Sequence, residues 1–78
     1  MKKLKGILSK VLHIKTSDIT ESTSPDTVPT WDSFNGLMLV SELETQYGVK
    51  FTMQEVTSVR CVGDIREALE RHGVSLEL

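Results

Sequence analysis

The residues able to do chemistry are few, and one short segment concentrates them. Thr30-Trp31-Asp32-Ser33-Phe34 sets a serine hydroxyl directly after an aspartate, where a polar stretch gives way to apolar periodicity. If a helix opens at Asp32, that carboxylate accepts hydrogen bonds from backbone N–H groups that have no helical partner. Ser33 is then the first helical residue, pointing outward where those groups and the positive end of the helix dipole collect. Such a setting suits a phosphate, so the hydroxyl can carry a phosphodiester whose charge the helix start offsets. The competing reading is structural, because Asp-Ser before a helix is a common capping sequence. Two details weaken it: Asn35 stands where a capping box needs Glu or Gln, and Gly36 stands where a staple partner for Trp31 belongs. A glycine inside a helix costs about 1 kcal/mol relative to alanine. The segment is therefore not optimised for stability, which favours function.

Other chemistries find less support. A serine hydrolase built on Ser33 needs a base within reach, an orienting acid and an oxyanion hole. Only His13 and His72 are available, near the ends of the first and last helices, and the Gly-x-Ser-x-Gly elbow is missing. His72 fits better as a cation complementing a helix C-terminus. One cysteine, Cys61, excludes an internal disulfide framework and a multi-cysteine metal site, and it reads as a small, partly buried residue. No catalytic residue and no metal site is expected.

Helices must position this segment. With 78 residues, 38% apolar and 26% charged, the chain reads as one soluble domain over 1–78. No apolar run approaches the ~20 residues of a membrane span. The Lys-rich start has neither the unbroken apolar stretch nor the cleavage site of a secretion signal, so a reducing cytosol is the expected setting. Leu4, Ile7, Leu8, Val11 and Leu12 follow helical spacing and give a first helix over about 2–14. Its lysines fall on the other faces, as a solvated surface or as a contact for an anionic one. From Thr16 to Thr30 the periodicity stops. Pro25 and Pro29 mark a long loop, pinned to the core by Ile19 and Val28.

A second helix over about 32–47 carries Leu37, Val40, Leu43 and Tyr47, with Phe34 and Leu39 alongside, and stops at Gly48-Val49. Thr52-x-x-Glu55 is a capping box opening a short third helix, about 52–57. A last helix, about 61–72, has Val62, Ile65 and Leu69 as its stripe and Gly73 as its stop. No stretch combines strand alternation with hairpin turns. The fold class is all-α, four helices with a long loop between the first two and a short third helix. Residues 1–15 hold five lysines and no acid, whereas residues 16–78 hold a balance of −7. An acidic body argues against a free-standing nucleic-acid binder and for basic partners.

Asp32-Ser33-Phe34, then Leu39-Val40-x-x-Leu43-Glu44, Tyr47-Gly48-Val49-x-Phe51 and Val62-Gly63-Asp64-Ile65, resembles the acyl carrier protein family. The similarity covers nearly the whole chain, including its long first loop and short third helix. It implies a four-helix bundle of acyl-carrier type and a phosphopantetheine arm attached to Ser33. A phosphopantetheinyl transferase would use the Ser33 oxygen to attack the pyrophosphate of coenzyme A, leaving the arm in phosphodiester linkage. The arm's thiol would hold cargo as a thioester for separate acyl-loading, acyl-transferring or condensing enzymes, and the carrier itself would do no bond chemistry.

By the same resemblance, Asp32 helps the transferase and its metal ion engage the site. Phe34 flanks the attachment serine, and Trp31, Leu37, Met38 and Val56 join the partner-docking surface. The chain departs from the family pattern in three places. Phe34 replaces the usual Leu, Met38 stands where many fatty-acid carriers have an acid, and the second helix holds only Asp32, Glu42 and Glu44 as charges. Docking is then more apolar and less salt-sensitive than in housekeeping carriers. Trp31 before Asp-Ser is similar to D-alanyl carriers and to stand-alone carriers of specialised pathways. The expectation is a monomeric carrier of fatty-acid, polyketide or related biosynthesis. The alternatives are a D-alanyl or aminoacyl/peptidyl carrier, or a helical protein-interaction module with no prosthetic group.

Overall fold

The computed structural model describes residues 2–76, and its elements are all helical. They are α1 (Lys2–Leu12), α2 (Ser33–Tyr47), α3 (Met53–Ser58) and α4 (Val62–Arg71), with a 3-10 turn at Thr16–Asp18 inside the long loop. Among the described residues none is in a strand, and no helix is long and apolar enough to cross a membrane.

Each long helix buries one face. Leu4, Ile7, Leu8 and Leu12 of α1 meet Leu39 and Leu43 of α2 and Val62, Ile65 and Leu69 of α4 in a single cluster. The α2 stripe divides more sharply than its spacing suggests. Leu39 and Leu43 face the core, Val40 and Tyr47 are half-buried, and Phe34 and Leu37 stand exposed. One lysine of α1 serves the fold. Lys3 Nζ donates to the Gln46 carbonyl at 3.1 Å and lies 4.7 Å from the Tyr47 ring centroid. It supplies the C-terminal end of α2 with the cation that this helix lacks in its own last turn.

The long loop is an ordered crossing. Ile19 and Val28 are buried, and so is Thr23, whose hydroxyl accepts from the Thr20 N–H. The loop also closes the start of α4. Cys61 occupies the N-cap without a side-chain bond. The Val62 and Gly63 N–H groups donate instead to the Thr23 and Glu21 carbonyls, both at 2.9 Å. A Cβ at Gly63 would meet the Glu21 carbonyl oxygen at 3.3 Å, which explains the glycine by close backbone approach. Arg66 adds a salt bridge to Glu21 at 3.0 Å.

The first helix ends two residues before its expected limit. His13 takes a left-handed φ of 57°, and the Ile14 N–H turns back to the Ser9 carbonyl. This is the closing bond of a Schellman turn, with histidine where glycine is usual. A side chain in that conformation is strained. His13→Gly is therefore expected to raise stability by about 0.5–1 kcal/mol. A denaturant melt that shows no gain would mean that the turn is not left-handed in solution.

Candidate functional site

The segment before α2 is fixed from both sides. The Thr30 hydroxyl donates to the Leu12 carbonyl at the end of α1, and the Trp31 N–H donates to the Val28 carbonyl at 3.0 Å. Asn35 Nδ2 reaches back to the Thr30 carbonyl at 2.7 Å. Asn35 thus tightens the helix entry without the reciprocal bond of a capping box. Its side chain holds the preceding loop, which the sequence reading did not anticipate.

Asp32 is the N-cap of α2. Its Oδ1 accepts the Asn35 N–H at 2.9 Å. Ser33 follows as the first helical residue, exposed, and its hydroxyl makes no hydrogen bond among the described residues. The aspartate does the capping, and the serine oxygen is left unspent. The first turn of α2 holds no acid inside the helix, so the positive end of a 15-residue dipole faces this hydroxyl.

Behind Ser33 lies a cavity of about 420 Å³. Gly36, Leu37, Leu39, Val40 and Leu43 of α2 form one wall. Phe51, Glu55, Val56 and Val59 form the side towards α3, and Ile65 and Ala68 of α4 close the back. Pro25, Trp31, Asp32 and Ser33 border it from the loop and helix start. Trp31 is buried, at 7% exposure, with its indole on this wall. It offers little surface to a partner. Phe34, Leu37 and Met38 are exposed on α2 and Met53 on α3, at 70%, 62%, 51% and 74%. Val56 is half-buried between this surface and the cavity.

The third helix is held from its ends and sits lightly on the core. None of its residues is buried. Thr52 and Glu55 form the capping box read from the sequence. Glu55 also meets His72, whose Nε2 lies 3.0 Å from both carboxylate oxygens. A carboxylate only accepts, so Nε2 carries the proton. The Phe51 ring packs edge-on to His72, at 5.2 Å between centroids. Spacing 17 residues apart gave no signal for this pair.

The hydrogen bond from the Thr52 backbone, and then the His72 contact, lower the Glu55 pKa from its ordinary value. Because the folded-state value is the lower one, the unfolded chain takes up the proton first as the pH falls. The stability contributed by Glu55 is complete above the usual carboxylate range and is lost as pH drops through the folded value. In Glu55→Gln that acid-side loss should be shallower than in the natural chain. Denaturation midpoints at stepped pH values would check it, and parallel curves would contradict the assignment.

The site offers an exposed hydroxyl and a chamber. His72 is engaged with Glu55, His13 ends α1 in the open, and neither bonds Ser33 among the described residues. Among those residues no three of His, Cys, Asp and Glu are placed to hold a metal ion.

The chain belongs to the phosphopantetheine attachment site family, of acyl-carrier type: the family model matches residues 2–69. No curated protein is found to match the chain. Members of this family carry a covalently attached phosphopantetheine group, so the chain has a phosphopantetheine carrier role. Such domains are generally non-catalytic and depend on transferases and synthetic enzymes as partners. The residues present fit the group. Ser33 is an exposed alcohol, the helix dipole favours a phosphate there, and the adjoining cavity is largely apolar.

Proposed function

We propose that Ser33 is the attachment point of the phosphopantetheine arm and that the protein presents acyl chains to separate biosynthetic enzymes. The observation that carries this reading is the Ser33 hydroxyl, exposed and unbonded while Asp32 beside it does the capping. When attached, the arm supplies a terminal thiol that holds cargo as a thioester. Tethering raises the local concentration of that cargo at a docked enzyme. Asp32 keeps one carboxylate oxygen free of the Asn35 bond, and this oxygen is suited to the metal ion of a phosphopantetheinyl transferase.

Acyl cargo is favoured over aminoacyl cargo by the lining of the cavity. Leu39, Leu43, Val56 and Ile65 give it hydrocarbon walls. Of the acids bordering it, Glu55 is committed to Thr52 and His72, and Asp32 stands exposed at the helix start. An ammonium buried against the hydrocarbon walls would lose its hydration without return. The lightly seated α3 is the wall that can shift to admit a chain. Phe34, Leu37, Met38 and Met53 form an apolar docking surface for loading, transferring or condensing enzymes, with few charges to make it salt-sensitive.

The test compares loaded forms. Octanoyl on the arm should move the methyl resonances of Leu39, Val56, Ile65 and Ala68 relative to the arm alone, whereas D-alanyl should leave them close to their starting positions. Unmoved methyls in the octanoyl form would remove the support for sheltered acyl cargo.

A further inference from the structure

One basic face of the molecule has no part in the site beside Ser33. A groove of about 940 Å³ lies between the start of α1 and the 3-10 turn of the long loop. Lys2, Lys5 and Gly6 line it from α1, and Thr16, Ser17 and Thr20 from the loop. Lys3, in the same turn of α1, is spent on the Gln46 carbonyl and the Tyr47 ring. Lys2 and Lys5 enter no salt bridge among the described residues. The acid that borders the groove, Glu21, is held by Arg66 at 3.0 Å. Two uncompensated cations are left there. Gly6 points the same way. A glycine inside a helix weakens it, and a Cβ at Gly6 would meet nothing within 4 Å, so packing gives no reason for this one. Its bare backbone keeps the α1 side of the groove open to a chain lying across it.

We propose that this groove is a second docking face, which takes an acidic segment of a partner protein, with Lys2 and Lys5 facing its carboxylates. Charge makes the choice. Residues 16–78 carry a balance of −7, so the rest of the surface repels an acidic partner and orients it onto α1. A nucleic acid would meet the same repulsion along its length. A bilayer is disfavoured because the exposed large apolar side chains, Phe34, Leu37, Met38 and Met53, lie on α2 and α3, and none borders the groove to enter lipid. The groove shares no residue with the cavity beside Ser33. Lys3 fixes the first turn of α1 at the C-terminal end of α2, whereas Ser33 opens that helix, 15 residues or roughly 22 Å away. A partner held in the groove leaves Ser33 and the apolar docking surface free for other enzymes. The inference does not depend on what Ser33 carries.

The probe is a short peptide of alternating glutamate and serine, titrated into the full chain and followed in a proton–nitrogen spectrum. Shifts are expected at the Gly6, Thr16, Ser17 and Thr20 amides, and binding should weaken as salt rises. Lys2→Gln combined with Lys5→Gln should weaken it about tenfold, the scale of two exposed ion pairs. Gly6→Gln should also weaken binding while leaving the helix at least as stable, because its side chain enters the groove and improves helix propensity. Lys10→Gln, on α1 but outside the groove, should leave binding close to that of the natural chain. The proposal is overturned if the peptide moves none of these amides at millimolar concentration, or if Lys10→Gln weakens binding as much as the double variant. Phosphatidylserine vesicles that move the amides where the peptide does not would overturn it too, and would assign the face to a lipid surface.

Discussion

Ser33→Ala should abolish all labelling by a fluorescent coenzyme A analogue and a broad-specificity transferase, while leaving the fold intact. The expected loss of labelling is complete, because a phosphodiester needs an alcohol oxygen and alanine has none. The expected change in stability is within about 0.5 kcal/mol, the range of surface substitutions away from structural features. The second half of this result is the sharper one. If Ser33 were a capping residue, its replacement by alanine would cost about 1 kcal/mol. In the structure Asp32 accepts the Asn35 N–H and Ser33 accepts nothing, so that cost belongs to Asp32. Asp32→Ala should therefore lower the denaturation midpoint where Ser33→Ala does not. Residual labelling in Ser33→Ala would point to another hydroxyl.

Trp31→Ala should be the most destabilising change at the site. The indole is buried against the core cluster and also walls the cavity. Truncating a buried Trp to Ala costs about 3–5 kcal/mol. A domain this small rarely draws more than about 3–5 kcal/mol from its core. The variant should be largely unfolded at room temperature, with the helical circular dichroism signal reduced and the thermal transition broadened or absent. Trp31→Phe keeps most of the ring volume and loses the donor, and it should remain folded. A Trp31→Ala protein that melts like the natural chain would mean that the indole does not pack as described.

These two residues show what could be read from the chain and what could not. The helical stripes were legible because burial repeats at helical spacing. Leu4, Leu8 and Leu12 on α1 and Val62, Ile65 and Leu69 on α4 are core residues as their spacing requires. The Gly48 stop and the Thr52–Glu55 capping box were legible because each is local chemistry with a fixed offset, and both are formed. The end of α1 was not, because histidine occupies the left-handed position where glycine would have announced it.

Contacts across the fold left no local trace. The Glu55–His72 pair and the seating of Gly63 on Glu21 depend on where helices meet, which residue spacing does not encode. At the site, Asp32 as the cap and Ser33 as the first helical residue were legible, because capping is local chemistry, and both stand so in the structure. The Asn35 side chain's bond back to the Thr30 carbonyl was not. Apolar character alone groups Phe34 and Leu37 with the α2 stripe, whereas the family resemblance put Leu37 on the docking surface, and the helix register turns both outward.

The most direct test of the central claim is the mass of the intact folded protein after incubation with coenzyme A and a phosphopantetheinyl transferase, followed by fragmentation to locate the added group. The account predicts a gain of one phosphopantetheine per chain, carried entirely by the fragment containing Ser33. A folded protein that gains no mass with several transferases, or that carries the group on another residue, would contradict it.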